Sequence, residues 1–122
     1  MHFGELMEVI LYVKDMPTQV AFYRDVLGFA VTYPVSLEDY TDQPWVTLDT
    51  GACTLALHSG GQRRQGVDAP KIVFRVGDVE AARQYLIGKG VQMGEVRTAA
   101  PGITVCDGQD PEGNRFSIEH HA

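Results

Sequence analysis

The chain has 122 residues, 44% of them hydrophobic, with 10 basic and 16 acidic side chains and a formal net charge of −6. This length fits one compact domain and is too short for two independent cores. The negative charge argues against nucleic acid or anionic membranes as partners, and no apolar run reaches the roughly 20 residues that cross a bilayer. The N-terminus lacks the organisation of a secretion signal, so we expect a cytoplasmic protein with two reduced cysteines, Cys53 and Cys106.

The chain contains an internal repeat at an offset of 63 residues: VILYVKDM (9–16) aligns with IVFRVGDV (72–79). In each copy an apolar strand runs into an aspartate, and apolar residues spaced i, i+3 and i+7 then predict an amphipathic helix. An aspartate can cap the first helical turn, and a glycine can end the helix in a left-handed conformation. These signals are Asp15 and Gly28 in the first copy, and Asp78 and Gly90 in the second.

Strands are predicted for the rest of each copy. A hairpin joins PWVTLDTG to CTLALHS near Thr50-Gly51, and a second hairpin joins ITVCDG to RFSIEHH through a turn at 110–114. The predicted fold is α+β, with two tandem βαβββ modules in one domain. The modules span 5–58 and 71–120, and the Gly-, Arg- and Pro-containing segment 59–70 is interpreted as a plain linker.

Alternation along the strands predicts which side chains share a face. In the first strand Val9, Leu11 and Val13 form the apolar face that the helix covers. In the last strand of the second module, Phe116 and Ile118 belong to the same kind of core face. The opposite, polar face is expected to carry Glu8, Tyr12, Ala56, His58, Lys71, Arg75, Ser117 and Glu119.

Three segments carry a resemblance to a known family: VKDMPTQVAFYRDVLGF (13–29), VGDVEAARQYLIGKGV (76–91) and DPEGNRFSIE (110–119). The chain resembles the vicinal oxygen chelate superfamily, which groups glyoxalase I, extradiol dioxygenases, fosfomycin resistance enzymes and bleomycin resistance proteins. The resemblance implies that the paired modules curl into a cupped, mostly antiparallel sheet. It also implies a homodimer with a divalent metal at the bottom of the cup.

The family's metal-ligand positions correspond to Glu8, Ala56, Lys71 and Ser117 in this sequence. Only Glu8 is a competent ligand, because alanine has no donor, an ammonium group repels a cation and a neutral hydroxyl binds weakly. We therefore expect no metal cofactor, with Glu8 and Lys71 neutralising each other across the groove. The alternative is a displaced site for Zn, Ni, Mn or Fe, formed by Glu8, His58 and Glu119.

Two functions follow from the resemblance. The first is a small-molecule binding protein, with Tyr40 and Trp45 as walls of the groove. The second is a divalent-metal-dependent lyase, isomerase or dioxygenase using the displaced site, with Glu8 or Glu119 as the catalytic base. The choice between catalysis and sequestration stays open at this point. The residues expected to bind the ligand are Glu8, Tyr12, Trp45, His58, Lys71, Arg75, Ser117 and Glu119.

Overall fold

A computed structural model describes residues 1–2, 4–60 and 70–122. The chain forms two compact units, Met1–Arg64 and Gln65–Ala122. Most of the predicted linker, with its glycine and arginine cluster, lies outside the described residues. No helix in the described ranges is long and apolar enough to cross a membrane.

The first unit has one helix against a four-stranded sheet of order β1-β4-β3-β2. Strand β1 runs parallel to β4, and β3 is antiparallel to both β2 and β4. Helix α1 continues directly into a π-helical segment, Phe22–Val26. The elements are β1 (Glu8–Val13), α1 (Met16–Ala21), β2 (Ala30–Tyr33), β3 (Trp45–Asp49) and β4 (Thr54–Ser59).

The second unit repeats this plan, with strand order β5-β9-β8-β6 and an additional short strand, β7, that also pairs with β8. The strand predicted after Gly90 is present as β6, but it has only two residues and is shorter than expected from the sequence. The elements are β5 (Ile72–Arg75), α2 (Val79–Gly88), β6 (Gln92–Met93), β7 (Arg97–Ala100), β8 (Ile103–Gln109) and β9 (Arg115–His121). Both units together give the α+β fold of tandem modules.

The structure contains the predicted start and stop signals of both helices. The Asp15 carboxylate accepts from the Thr18 backbone N–H at 3.2 Å, and the Asp78 carboxylate accepts from the Ala81 N–H at 3.1 Å. These contacts satisfy donors that the first helical turn leaves unpaired. The glycines that follow the two helical segments have φ values of 85° and 82°, a conformation that residues with a Cβ avoid.

Each unit buries the apolar face of its sheet under its helix. In β4, Leu55 and Leu57 are at most 2% exposed, and in β9, Phe116 and Ile118 are at most 3% exposed. Burial of one such side chain contributes about 1.5–3 kcal/mol to stability. Because one face of each sheet is fixed in the core, the alternate side chains are fixed on the polar face.

Candidate functional site: the polar faces of the two sheets

The pairing register of the first sheet arranges its polar face in rows. Ile10 is opposite Ala56, which in turn is opposite Thr47 on β3. One row further along, Tyr12 is opposite His58, which is opposite Trp45. The second row therefore places three ring side chains side by side on three adjacent strands.

These three rings are in contact range. The Tyr12 and His58 ring centroids are 5.3 Å apart at a tilt of 41°, and those of Trp45 and His58 are 5.6 Å apart, edge to face. Tyr12 is 50% exposed, whereas His58 and Trp45 are half-buried. We call this set, Tyr12, His58 and Trp45, the aromatic row. It offers ring surface to a ligand at low entropic cost, because aromatic side chains have few rotatable bonds.

The hydrogen bond of His58 fixes its tautomer. Its Nδ1 lies 2.7 Å from the Ser59 carbonyl oxygen, which can only accept, so a proton resides on Nδ1. In the neutral imidazole Nε2 is then the nitrogen that carries a lone pair. The His58 Nε2 of the aromatic row is therefore a hydrogen-bond acceptor for a ligand O–H or N–H group.

Glu8 lies away from the aromatic row. It is opposite Thr54, and four residues separate it from the Tyr12–His58 pair along the strands. At ~3.3 Å per residue this is about 13 Å along the strand direction. Two ligands of one first-row ion bind it at about 2 Å each, so the structure does not bring Glu8 and His58 together as the displaced metal site requires.

The polar face of the second sheet is organised around Asp107, which sequence reasoning missed. Its Oδ1 accepts from the Lys71 Nζ at 3.0 Å and from the Ser117 hydroxyl, and its Oδ2 accepts from the Arg97 Nη1 at 2.8 Å. Ser117 is fully buried, and the Lys71 and Asp107 side chains are about one-third exposed. We call these four residues the Asp107 cluster.

The Asp107 cluster lowers the pKa of its carboxyl well below the ordinary value. The Ser117 hydroxyl has the largest effect, burial opposes it, and the hydrogen bonds from Lys71 and Arg97 and the charge of Lys71 add to the lowering of the pKa. The structure thus gives Lys71 a partner within its own unit, where the sequence interpretation had paired it with Glu8. The signal for Asp107 was present in the sequence, because the hairpin turn at 110–114 places it opposite Ser117.

A second group of polar side chains lies on the same face beside Val73. The Glu119 Oε1 is 2.6 Å from the His121 Nε2, so Glu119 contacts a histidine of its own strand. Arg75 is opposite Glu119 on the neighbouring strand. Together with Val73 these residues line a cavity of about 150 Å³.

A larger cavity of about 450 Å³ lies at the β6 end of the second sheet. It is lined by Gln92, Met93, Gly94, Asp107, Gly108, Gln109 and Arg115. None of these residues was singled out from the sequence. Tyr40, in contrast, was expected to be a groove wall and is a core residue, 5% exposed, with its hydroxyl 3.3 Å from the Pro34 carbonyl oxygen.

The residues at the family's metal-ligand positions do not fit a divalent ion. Ala56 is fully buried and carries no donor atom. Lys71 and Ser117 both donate to Asp107, so their polar atoms are engaged and one of them is a cation. Across the described ranges, the structure contains no group of three or more His, Cys, Asp or Glu side chains that could hold a metal. Glu8 is left as the single competent donor of the set.

Comparison with known proteins places this arrangement in a family. The Glyoxalase/Bleomycin resistance protein/Dioxygenase superfamily profile matches residues 5–118, and no curated protein matches the chain. A glyoxalase family protein from Enterococcus faecalis superposes with a TM-score of 0.79 at 20% identity, covering 98% of this chain and 100% of that chain. A lactoylglutathione lyase from Agrobacterium tumefaciens gives a TM-score of 0.72 at 21% identity, covering 97% and 94%.

A protein from the mobile metagenome of V. pseudocholerae is similar over 100% of this chain and 98% of its own, with 27% identity and a TM-score of 0.72. The structural similarities show the fold, and the profile match covers nearly the whole sequence. The chain belongs to the Glyoxalase/Bleomycin resistance protein/Dioxygenase superfamily.

Proposed function

We propose that this chain binds a small, flat organic molecule at the aromatic row of its first sheet, without the divalent metal that is typical of the family. The aromatic row carries the proposal. Its rings supply stacking surface, and the lone pair on the His58 Nε2 can accept one hydrogen bond, which together are the usual components of a small-molecule site. The proposed ligand therefore has a π-face and an O–H or N–H donor at its edge.

The Asp107 cluster supports the metal-free part of the proposal. In that cluster the Lys71 ammonium supplies a positive charge at a position that a metal ligand has in the family. The Lys71 ammonium would repel a divalent ion at this position. Glu8 is the only competent donor among the four family positions, so a second strong donor would be missing. A metal would supply polarisation of a substrate oxygen, and among the described side chains no group of three or more His, Cys, Asp or Glu could hold it.

The experiment is a ligand screen with chelator-treated protein, followed by the emission of Trp45, the single tryptophan of the chain. We expect a compound of the stated class to change this emission with one-to-one stoichiometry, unaffected by chelator and without turnover. Tyr12→Ala should weaken the affinity for this compound about five- to twelvefold, because loss of a stacking ring costs on the order of 1–1.5 kcal/mol.

Tyr85→Ala is the matched control. Tyr85 is 48% exposed, close to the 50% of Tyr12, but it lies on α2 in the second unit. Its removal should leave the affinity unchanged. Binding that appears only after a divalent metal is added, or conversion of the bound compound, would contradict the proposal and favour the metal-dependent enzyme.

A further inference from the structure

Two opposite charges on the second sheet are neighbours that do not pair. Arg75 on β5 and Glu119 on β9 are directly opposite in the parallel register, where side chains on one face are close. Within the described ranges, the Arg75 guanidinium has no hydrogen bond or ion pair. Its five N–H donors, fixed in a planar fork, are therefore available to an acceptor other than the residues that the structure describes.

His121 explains why Glu119 does not turn toward Arg75. The contact between the His121 Nε2 and the Glu119 Oε1, at 2.6 Å, orients the carboxylate along its own strand. The second oxygen, Oε2, has no partner among the described residues. The Glu119 side chain is 25% exposed, so its carboxylate is partly shielded from water. A partly desolvated acceptor gains more from a charged donor than a fully exposed one.

The space beside these charges has the volume of a very small ligand. The cavity lined by Val73, Arg75, Glu119 and His121 measures about 150 Å³. It is open to solvent, since Val73 is 49% exposed and the His121 side chain is 63% exposed, and its volume matches a ligand of about six heavy atoms. Val73 is the apolar member of the lining and can contact a short alkyl group.

We propose that this cavity binds a small α-amino acid as its zwitterion, which goes beyond the proposed function by adding a second binding site with its own ligand class. The carboxylate pairs with the Arg75 fork, and the ammonium group donates to the Glu119 Oε2. A simple carboxylate would pair with Arg75 and be repelled by Glu119. A simple amine would pair with Glu119 and be repelled by Arg75. Only a molecule with both charges matches both groups.

The test follows the His121 imidazole resonances by NMR, assigned with His121→Gln, in full-length protein at constant pH. L-Alanine, propionate and ethylamine are titrated separately, because the last two each carry one of the two charges. We expect saturable shifts with L-alanine and at least tenfold weaker binding of propionate and ethylamine. Arg75→Gln should weaken L-alanine binding at least tenfold, since it removes a charge-assisted, bidentate contact.

Arg115→Gln is the matched control. Arg115 is also an exposed arginine on the polar face of this sheet, but it lines the separate 450 Å³ cavity. This variant should bind L-alanine within twofold of the wild type, and a two-dimensional amide spectrum verifies that both variants are folded. Equal affinity for propionate and L-alanine, or unchanged affinity in Arg75→Gln, would overturn the inference.

Failure of this inference is distinguishable from failure of the proposed function. Without any shift from L-alanine, a flat ligand that perturbs Trp45 in chelator-treated protein still supports binding at the aromatic row. With a clear L-alanine shift and metal-dependent turnover, the amino acid site stands and the metal-free function is wrong. Trp45 reports on the first unit and His121 on the second, so the two readouts report on separate sites.

Discussion

Replacement of Asp107 by asparagine tests the Asp107 cluster most sharply. The side chain keeps its shape but loses its charge, so Lys71 and Arg97 become two neighbouring cations without a counter-charge. The two partly exposed ion pairs contribute about 0.5 kcal/mol each. The asparagine Oδ1 can still accept from the buried Ser117 hydroxyl, so this hydrogen bond loses only its charge assistance, about 1 kcal/mol. We therefore expect Asp107→Asn to reduce the free energy of unfolding by about 2 kcal/mol, equivalent to about 5–10 °C in melting temperature.

The pH dependence of the loss gives a second readout. The pKa of Asp107 is lowered in the folded state from an ordinary value of 3.8, so its stabilising contribution is fully present above that value. It is lost as pH falls below 3.8 toward the folded-state pKa. The stability difference between wild type and variant should consequently be constant from about pH 5 to 7 and become smaller below about pH 4.

Urea unfolding followed by circular dichroism at pH 7, 5 and 3 measures both effects. Glu95→Gln is the control, because the Glu95 side chain is 93% exposed and its contact with Arg83 is 3.8 Å long. Its effect should stay within about 0.5 kcal/mol. A loss below about 1 kcal/mol in Asp107→Asn, or a difference that does not decrease in acid, would refute the described cluster.

Three other substitutions test the fold that supports the polar faces. Gly108→Ala should lower the free energy of unfolding in urea by about 1–3 kcal/mol, because an added Cβ would lie 2.9 Å from the buried Phe116 ring. Gly94→Ala is its control, because the added Cβ would lie 3.6 Å from the Asp107 carbonyl oxygen, an ordinary contact. Asp78→Ala should lower the stability measured by thermal unfolding by about 1 kcal/mol, because α2 loses its N-cap. Asp78→Asn keeps a capping oxygen and should retain most of that stability. Equal losses in both variants would contradict the cap. Leu57→Ala should cost about 2–5 kcal/mol by leaving a cavity in the core, whereas a cost below 1 kcal/mol would contradict its burial.

The helices and core faces could be predicted because their signals are local. An aspartate before the helix, a glycine after it and the alternation of apolar residues are within a few positions of each other. The same reasoning assigned Phe116 to the core and Ser117 to the opposite face. It also identified the family, because each of the three segments that carry the resemblance is one continuous stretch of sequence.

The contacts of the polar faces could not be predicted in the same way. Arg97 reaches Asp107 from β7, a strand whose pairing with β8 is irregular and which the sequence pattern did not reveal. His121 is bonded to Glu119 because β9 extends through both residues, Arg115–His121, which places alternate side chains on one face. Such pairings depend on register across strands and on the choice of rotamer, neither of which composition or periodicity determines.

The metal-free character of the site is the central claim, and calorimetry tests it most directly. The protein is stripped with a chelator and titrated separately with Zn²⁺, Ni²⁺, Mn²⁺ and Fe²⁺, the last without oxygen, and Glu8→Gln is measured in parallel. Because Glu8 is the one competent donor among the family's four ligand positions, we predict no binding tighter than micromolar and no difference between wild type and Glu8→Gln. Stoichiometric, tight binding that is lost in Glu8→Gln would contradict the account and restore a metal-dependent enzyme.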